Sequence, residues 1–328
     1  MPIGDAALVV LISAMTCVLV GGPAIRWLAR AQCVAPVRYE DCPPLQAYQQ
    51  KKSATPTMGG LFVLAVAAAV AVMAGGLSHR DGWLVLLALI GMGGVGWWDD
   101  CLKFRGENAR GLRTWPKLLM ALMVGAVIGL GTLEPGPAGR PVQVPWTSQT
   151  IALGGMWVPM SMVAVAGCAH AVNLTDGMDG LAAGCVAIAL LALGFLSPLE
   201  ASSVTWMAWA AGLAGACLGF LWFNCFPASI YLGDVGALGL GAALGTLGLL
   251  THGALWLIIV GGIFVVEAVS VMLQVASYKW RSGRRIFRVA PIHHHFHLGG
   301  LSEPKVIVRF WIAGALLAAA SLSWVSWR

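Results

Sequence analysis

Ten apolar stretches recur along this chain of 328 residues and dictate the solvent in which it folds. A helix needs about 20 apolar residues to cross the hydrocarbon of a bilayer. Stretches of that kind lie near 6–28, 57–77, 82–98, 116–133, 155–173, 179–197, 201–222, 235–251, 254–279 and 306–326. In lipid every backbone polar group needs an internal partner, so such stretches fold as helices. Only 10% of the residues are charged, against about 25% in soluble domains. The expectation is an all-α polytopic membrane protein with about ten spans and one domain, residues 1–328. The eighth stretch is rich in glycine, which membrane helices tolerate because small residues let backbones approach closely.

Charge orients the spans. Asp5 precedes the first apolar run and Arg26 and Arg30 follow it. That order is the reverse of a cleavable signal peptide, so the first helix is expected to stay, with its N-terminus outside. Ten spans then put all of the 20 Lys and Arg on the inner side except Arg80, Arg140 and Arg328. Basic residues mark the cytoplasmic side, so both termini are expected outside. The net charge of +6 is therefore an orientation signal. No basic–aromatic repeat points to nucleic acid. The 8 cysteines form no CxxC pair, which argues against a disulfide framework or a zinc knuckle. The outer loop near 134–154 carries Pro135, Pro137, Pro141 and Pro145 and suits a small hairpin.

The inner side carries acids that ordinary pairing does not explain. Asp99 and Asp100 end the third span. A helix C-terminus is partially negative, and adjacent carboxylates repel each other. Lys103 is spaced to pair with one of them; a divalent cation or a basic catalytic role accounts for both. NLTDGMDG, between spans five and six, holds Asn173, Thr175, Asp176 and Asp179. Its glycines permit tight backbone geometry near a ligand, and Asp179 also suits a helix cap. Asn224 and Asp234 stand in NCFPASIYLGDVGAL, where Asp234 reads either as a cap or as an oxygen ligand for magnesium.

In RRIFRVAPIHHHFHLGG an extended chain puts His293, His295 and His297 on one side. With Arg284, Arg285 and Arg288 they form a cationic surface suited to pyrophosphate. A zinc site lacks its usual ligand spacing there. KKSATPTMGG places Pro56 in a first helical turn, where phosphate is attracted. Lys117 adds a cation or anchors topology. Carboxylates and phosphate-binding cations at one face suit phosphoryl transfer on an anionic substrate. A transporter would gather its ionisable groups at the midplane; only Glu267 lies deep within a span.

TPTMGG, the paired DD after span three, NLTDGMDGLA, GFLWFN, GDVGAL, and PIHHHFHLGG followed by EPKVIVRFWI run in order from about Lys51 to Trp311. Together they resemble the phospho-N-acetylmuramoyl-pentapeptide transferases of the polyprenyl-phosphate N-acetylhexosamine-1-phosphate transferase superfamily. The resemblance implies a ten-span bacterial inner-membrane enzyme, usually a homodimer, with periplasmic termini and a cytoplasmic active site. It implies transfer of phospho-MurNAc-pentapeptide from UDP-MurNAc-pentapeptide to undecaprenyl phosphate, giving lipid I and UMP, with Mg2+ required. Carried over by motif, Asp234 is the magnesium ligand. Asp99 is the base for the lipid phosphate, with Asp100 beside it. Asn173, Asp176 and Asn224 line the nucleotide–phosphate site, and Gly177, Met178, Asp179 and Tyr231 contact uridine. Lys52, Thr57, Lys117, His293, His294 and His295 serve phosphate and substrate. Tyr231 stands where Phe is usual, which still permits stacking; Ala237 replaces Ser, and His170 stands where Asn is common. A related transferase using UDP-N-acetylglucosamine is the alternative, and PIHHHF argues against it.

Overall fold

The computed structural model describes residues 3–34, 46, 50, 55–104, 111–133, 140–197 and 202–323. All ten expected stretches hold helix. They are α1 Ile3–Arg30, α2 Gly60–Met73, α3 Arg80–Phe104, α4 Thr114–Gly131, α5 Trp157–Thr175, α6 Leu181–Leu196, α7 Ser203–Asn224 and α8 Gly233–Leu250. The ninth stretch is divided at Gly261 into α9 Trp256–Val260 and α10 Gly262–Trp280. A short helix α11, Ile292–His297, precedes the last span, α12 Glu303–Leu322. Eight of these helices are long and apolar enough to cross a membrane, and α2 and α6 are shorter. The chain is an all-α polytopic membrane protein with little sheet.

The glycine-rich stretch became the centre of the bundle. Every residue of α8 from Val235 to Leu250 is buried, and α3 and α5 pack along it. Small residues explain why. A β-carbon at Gly96 of α3 would overlap the backbone of Asp234. Between membrane helices the attraction is close van der Waals contact, which glycine makes possible. Gly96 lies one turn before Asp99 and Asp100, so the same contact delivers the start of α8 to those carboxylates.

The outer surface faces lipid. Exposed tryptophans gather at helix ends, as they do at membrane–water interfaces. Trp27, Trp97, Trp98, Trp115, Trp222 and Trp280 lie at the end that carries Asp99 and Asp234, and Trp83 and Trp146 lie at the other. The expected hairpin is present at that second end. Strands β1 Pro141–Gln143 and β2 Thr150–Ala152 pair antiparallel. The Gln143 N–H donates to His252 O at 3.1 Å, and Trp146 Nε1 donates to Ala320 O at 3.3 Å. Beside the hairpin, Arg140 bonds the buried Asp81 of α3 at 3.3 Å, and Trp206 Nε1 donates to the same carboxylate oxygen at 2.9 Å.

Pro56 departs from expectation. It forms an isolated bridge with Val34 rather than the first turn of α2, which begins four residues later.

Candidate active site

Three helix ends converge on one charge cluster. The C-terminal turn of α3 supplies Asp99, Asp100 and Lys103, the first turn of α4 supplies Lys117, and the first turn of α8 supplies Asp234. Lys103 Nζ bonds Asp99 Oδ2, and lies 3.0 Å from Asp100 Oδ1 and 3.0 Å from Asp234 Oδ1. Lys117 Nζ lies 2.7 Å from Asp234 Oδ2 and 3.1 Å from Asp99 Oδ2. Backbone donors complete the set. The Leu112 N–H reaches Asp99 Oδ1 at 2.7 Å, and the Val235 N–H reaches Asp100 Oδ2 at 3.2 Å. Asp99 is wholly buried and Asp100 nearly so.

This geometry decides between the readings left open by the sequence. Asp234 does not cap α8: it follows Gly233 in the first turn, and both of its oxygens face lysines. Asp179 does not cap α6 either; its Oδ2 accepts the Ala228 N–H at 2.9 Å. Lys103 was expected to satisfy one carboxylate and instead touches three. Its spacing from Asp99 and Asp100 was readable, whereas its contact with Asp234, on another helix, was not.

The remaining expected residues frame the cluster. Thr57 is buried, and its strand-like segment pairs with Tyr231 through Tyr231 N–H to Pro56 O and Gly59 N–H to Tyr231 O, each 2.9 Å. Gly233 follows with a left-handed φ of 76°, a conformation open to glycine. A β-carbon there would crowd Asp100 Oδ2 and Thr57 Oγ1. Asn224 Nδ2 donates to Ile230 O at 2.8 Å, closing the loop that presents Tyr231. Asn173 is half-buried near the end of α5, and Met178 is buried.

Asp176 follows α5. The interior placement of its carboxylate, then the negative charges of Asp234, Asp100 and Asp179, push it up to about 8, against a weaker pull from the Gly233 N–H. The Asp179 N–H donates to Glu303 Oε1 at 3.0 Å, a partner the sequence did not indicate.

The histidine segment corrects an expectation. It is helical, not extended, so alternate histidines do not share a face. His293 and His294 are buried, and only His295 and His297 keep some exposure. Burial pushes the His293 imidazole down to about 3, so it is neutral and adds no charge to a cationic surface. His295 Nδ1 accepts the Arg288 N–H at 3.1 Å. Gly177 touches this helix: a β-carbon there would collide with the rings of His293 and His294. Lys52 lies outside the described residues.

Asp99, Asp100 and Asp234 offer ligand oxygens within 4.8 Å of one another. An all-oxygen donor set suits a hard divalent cation. Two lysines against three carboxylates leave an excess of negative charge, so the donors fit such an ion.

Comparison with known proteins agrees with the geometry. The model of glycosyl transferase family 4 matches residues 82–252, which include Asp99, Asp100, Lys117 and Asp234. The phospho-N-acetylmuramoyl-pentapeptide-transferase of Thermodesulfovibrio yellowstonii is 40% identical over 321 residues, covering 93% of this chain and 88% of that protein. The chain belongs to the phospho-N-acetylmuramoyl-pentapeptide-transferase family. A second member, from Methylacidiphilum infernorum, is 39% identical over 331 residues, with 95% and 90% covered. A third, from Citrifermentans bemidjiense, is 41% identical over 293 residues, with 85% and 82% covered.

Proposed function

We propose that this chain transfers phospho-MurNAc-pentapeptide from UDP-MurNAc-pentapeptide to undecaprenyl phosphate, releasing UMP and forming lipid I. The carrying observation is the cluster of Asp99, Asp100, Asp234, Lys103 and Lys117 at three helix ends, in a chain whose relatives bear this transferase name. A phosphate oxygen of the lipid attacks the sugar-bearing phosphorus. A new P–O bond forms, the bond to the bridging oxygen breaks, and UMP leaves with that oxygen. Such a reaction needs positioning and neutralisation of negative charge more than covalent chemistry by the protein.

Asp234 is the residue to hold Mg2+, with Asp100 and Asp99 beside it; when bound, the ion supplies positive charge to phosphate oxygens. Lys117 and Lys103 hold the phosphates and keep the carboxylates together. Asp99, on the same helix turn as Asp100, is the group to take a proton from the lipid phosphate. Asn173, Asp176, Gly177, Met178, Asp179, Asn224 and Tyr231 form the nucleotide end, and Lys52, Thr57, His294 and His295 serve phosphate and substrate. His293 serves that end from within. The reading places ten spans in the bacterial inner membrane, with periplasmic termini, the cluster facing the cytoplasm, and a homodimer as the working unit. The charge asymmetry of the sequence supports that orientation, and the tryptophans around the cluster suit a membrane–water interface.

The test is a competition assay. Purified protein with undecaprenyl phosphate and Mg2+ receives equal UDP-MurNAc-pentapeptide and UDP-N-acetylglucosamine. UMP release and a MurNAc-pentapeptide-bearing lipid are expected; a lipid bearing only N-acetylglucosamine overturns the assignment in favour of the related transferase.

A further inference from the structure

Glu303 opens the EPKVIVRFWI motif and lies outside the charge cluster. Charged side chains are seldom buried unless they are paired, yet Glu303 is buried in the first turn of α12. A negative charge suits that end of a helix. Its carboxylate also reaches another element: Oε1 accepts the Asp179 N–H at 3.0 Å. Helix packing brings the two together. α12 runs along α6. Gly184 of α6 permits the approach, since a β-carbon there would overlap the Trp311 indole. Val306 and Ile307, in the turn after Glu303, are buried as well.

Asp179 joins two loops. Its backbone belongs to the turn that leads from α5 into α6. Its carboxylate Oδ2 accepts the Ala228 N–H at 2.9 Å, in the loop between α7 and α8. That second loop is tied on itself. The Ser229 N–H donates to Phe223 O at 2.7 Å, and Asn224 Nδ2 donates to Ile230 O at 2.8 Å, next to Tyr231. Burial pushes the Tyr231 hydroxyl up to about 12, against the pull of a hydrogen bond with Thr55, and the charges of Asp179, Glu303 and Asp176 add to the rise. Glu303 therefore stands close to both loops. A carboxylate that accepts a backbone N–H makes a charge-assisted bond, roughly twice as strong as a neutral one. Here that bond fixes the residue through which the two loops are bonded to each other.

We propose that Glu303 is a positioning residue for the nucleotide end of the site: by holding the backbone of Asp179 it sets the Asp176–Asp179 loop against the loop that presents Tyr231. The inference rests on the assignment of those loops to the donor nucleotide. It goes beyond that assignment by giving a carboxylate of the last span control of donor affinity, not of the acceptor lipid.

Two variants at this position test it. Glu303→Ala removes the acceptor, whereas Glu303→Gln keeps a carbonyl that accepts the Asp179 N–H. In Glu303→Ala, affinity for UMP, measured by calorimetry, and KM for UDP-MurNAc-pentapeptide are expected to worsen by roughly 10-fold, the scale of one lost buried hydrogen bond. KM for undecaprenyl phosphate is expected to hold, with kcat per folded molecule within about 3-fold of wild type. Glu303→Gln is expected to stay within about 3-fold of wild type in every constant. Hydrogen exchange at the Asp179 amide should be slow in the wild type and in Glu303→Gln, and faster in Glu303→Ala. A merely structural role would lower the melting temperature and leave KM unchanged. Wild-type UMP affinity in a folded Glu303→Ala protein, an equal loss in Glu303→Gln, or a loss confined to kcat each overturns the proposal. If Glu303→Ala does not fold, Glu303→Asp, one methylene shorter, decides by the same donor-selective loss. A wild-type protein that forms no MurNAc-pentapeptide-bearing lipid defeats the functional reading instead, while UMP affinity across the variants still reports on Glu303.

Discussion

The two ends of α3 carry buried aspartates under opposite conditions. At the N-terminal end Asp81 sits where the helix dipole favours a negative charge. Arg140 and Trp206 bond it, and one hairpin is tied to the bundle as a result. At the C-terminal end Asp99 and Asp100 sit where the dipole opposes them, next to each other and to Asp234. Two lysines from two helices hold that set together. A single carboxylate with a close cation and an indole donor is a fastening. Three carboxylates with two cations leave negative charge unmatched, and such a set of oxygen donors suits a further cation. The difference teaches that burial and ion pairing alone do not mark function; the imbalance and its conflict with the helix dipole do.

That contrast predicts effects that separate cleanly. The largest is expected from Asp234→Asn. UMP release should fall by about 100-fold or more, as loss of several kcal/mol of charge stabilisation requires; because the variant takes a carboxylate from Lys103 and Lys117, the rate is read per folded molecule. Turnover near the wild-type rate breaks the comparison. Chelation of divalent cations should mimic this variant, and full turnover in chelator removes the metal from the account.

Asp81→Asn should do the reverse. Arg140 loses its buried counter-charge, which is worth about 3–5 kcal/mol of stability when one partner is removed. The melting temperature should drop, and activity per folded molecule should stay. A stable but inactive Asp81→Asn protein would place chemistry at both ends of α3.

The smallest effect sharpens the electrostatic side of the comparison. Asp176 is raised from an ordinary 3.8 to about 8 by burial and by its acidic neighbours. The folded state therefore binds this proton more tightly than the unfolded chain. Its stabilising contribution is complete below about pH 3.8 and is lost as pH rises through about 8. Between pH 5 and 9 the melting temperature of the wild type should fall relative to that of Asp176→Asn. A constant difference across that range removes Asp176 from the influence of the cluster.

Much of the site was legible because its residues are misfits in their local setting. Paired carboxylates at a helix C-terminus and an acid between glycines in a membrane protein are costly without a ligand, and Asp99, Asp100 and Asp234 stood out for that reason. Lys103 was legible only as a local ion pair, since sequence spacing reports neighbours on one helix. The histidines were misread as an extended surface. Three identical polar residues carry no periodicity, and Glu267, whose carboxylate stands 3.0 Å from the buried His293, lies on α10, outside the motif. Glu303 opens the EPKVIVRFWI motif, but its bond to the backbone of Asp179 was not legible, because no local pattern marks a side chain that supports a loop 124 residues away.

The chain by itself determined its apolar spans, the asymmetry of its basic residues and the chemical character of its acidic set. These are local properties: a helix long enough for lipid or a charge too costly for its position is written within a few turns. Only the tertiary structure decided that the end of α3 and the start of α8 meet, that two lysines bridge three carboxylates, and that His293 rests on Glu267. Those contacts depend on glycine-sized gaps between segments far apart in sequence, such as Gly96 against Asp234 and Gly177 against His293. Whether two such gaps face each other is a matter of how whole helices pack.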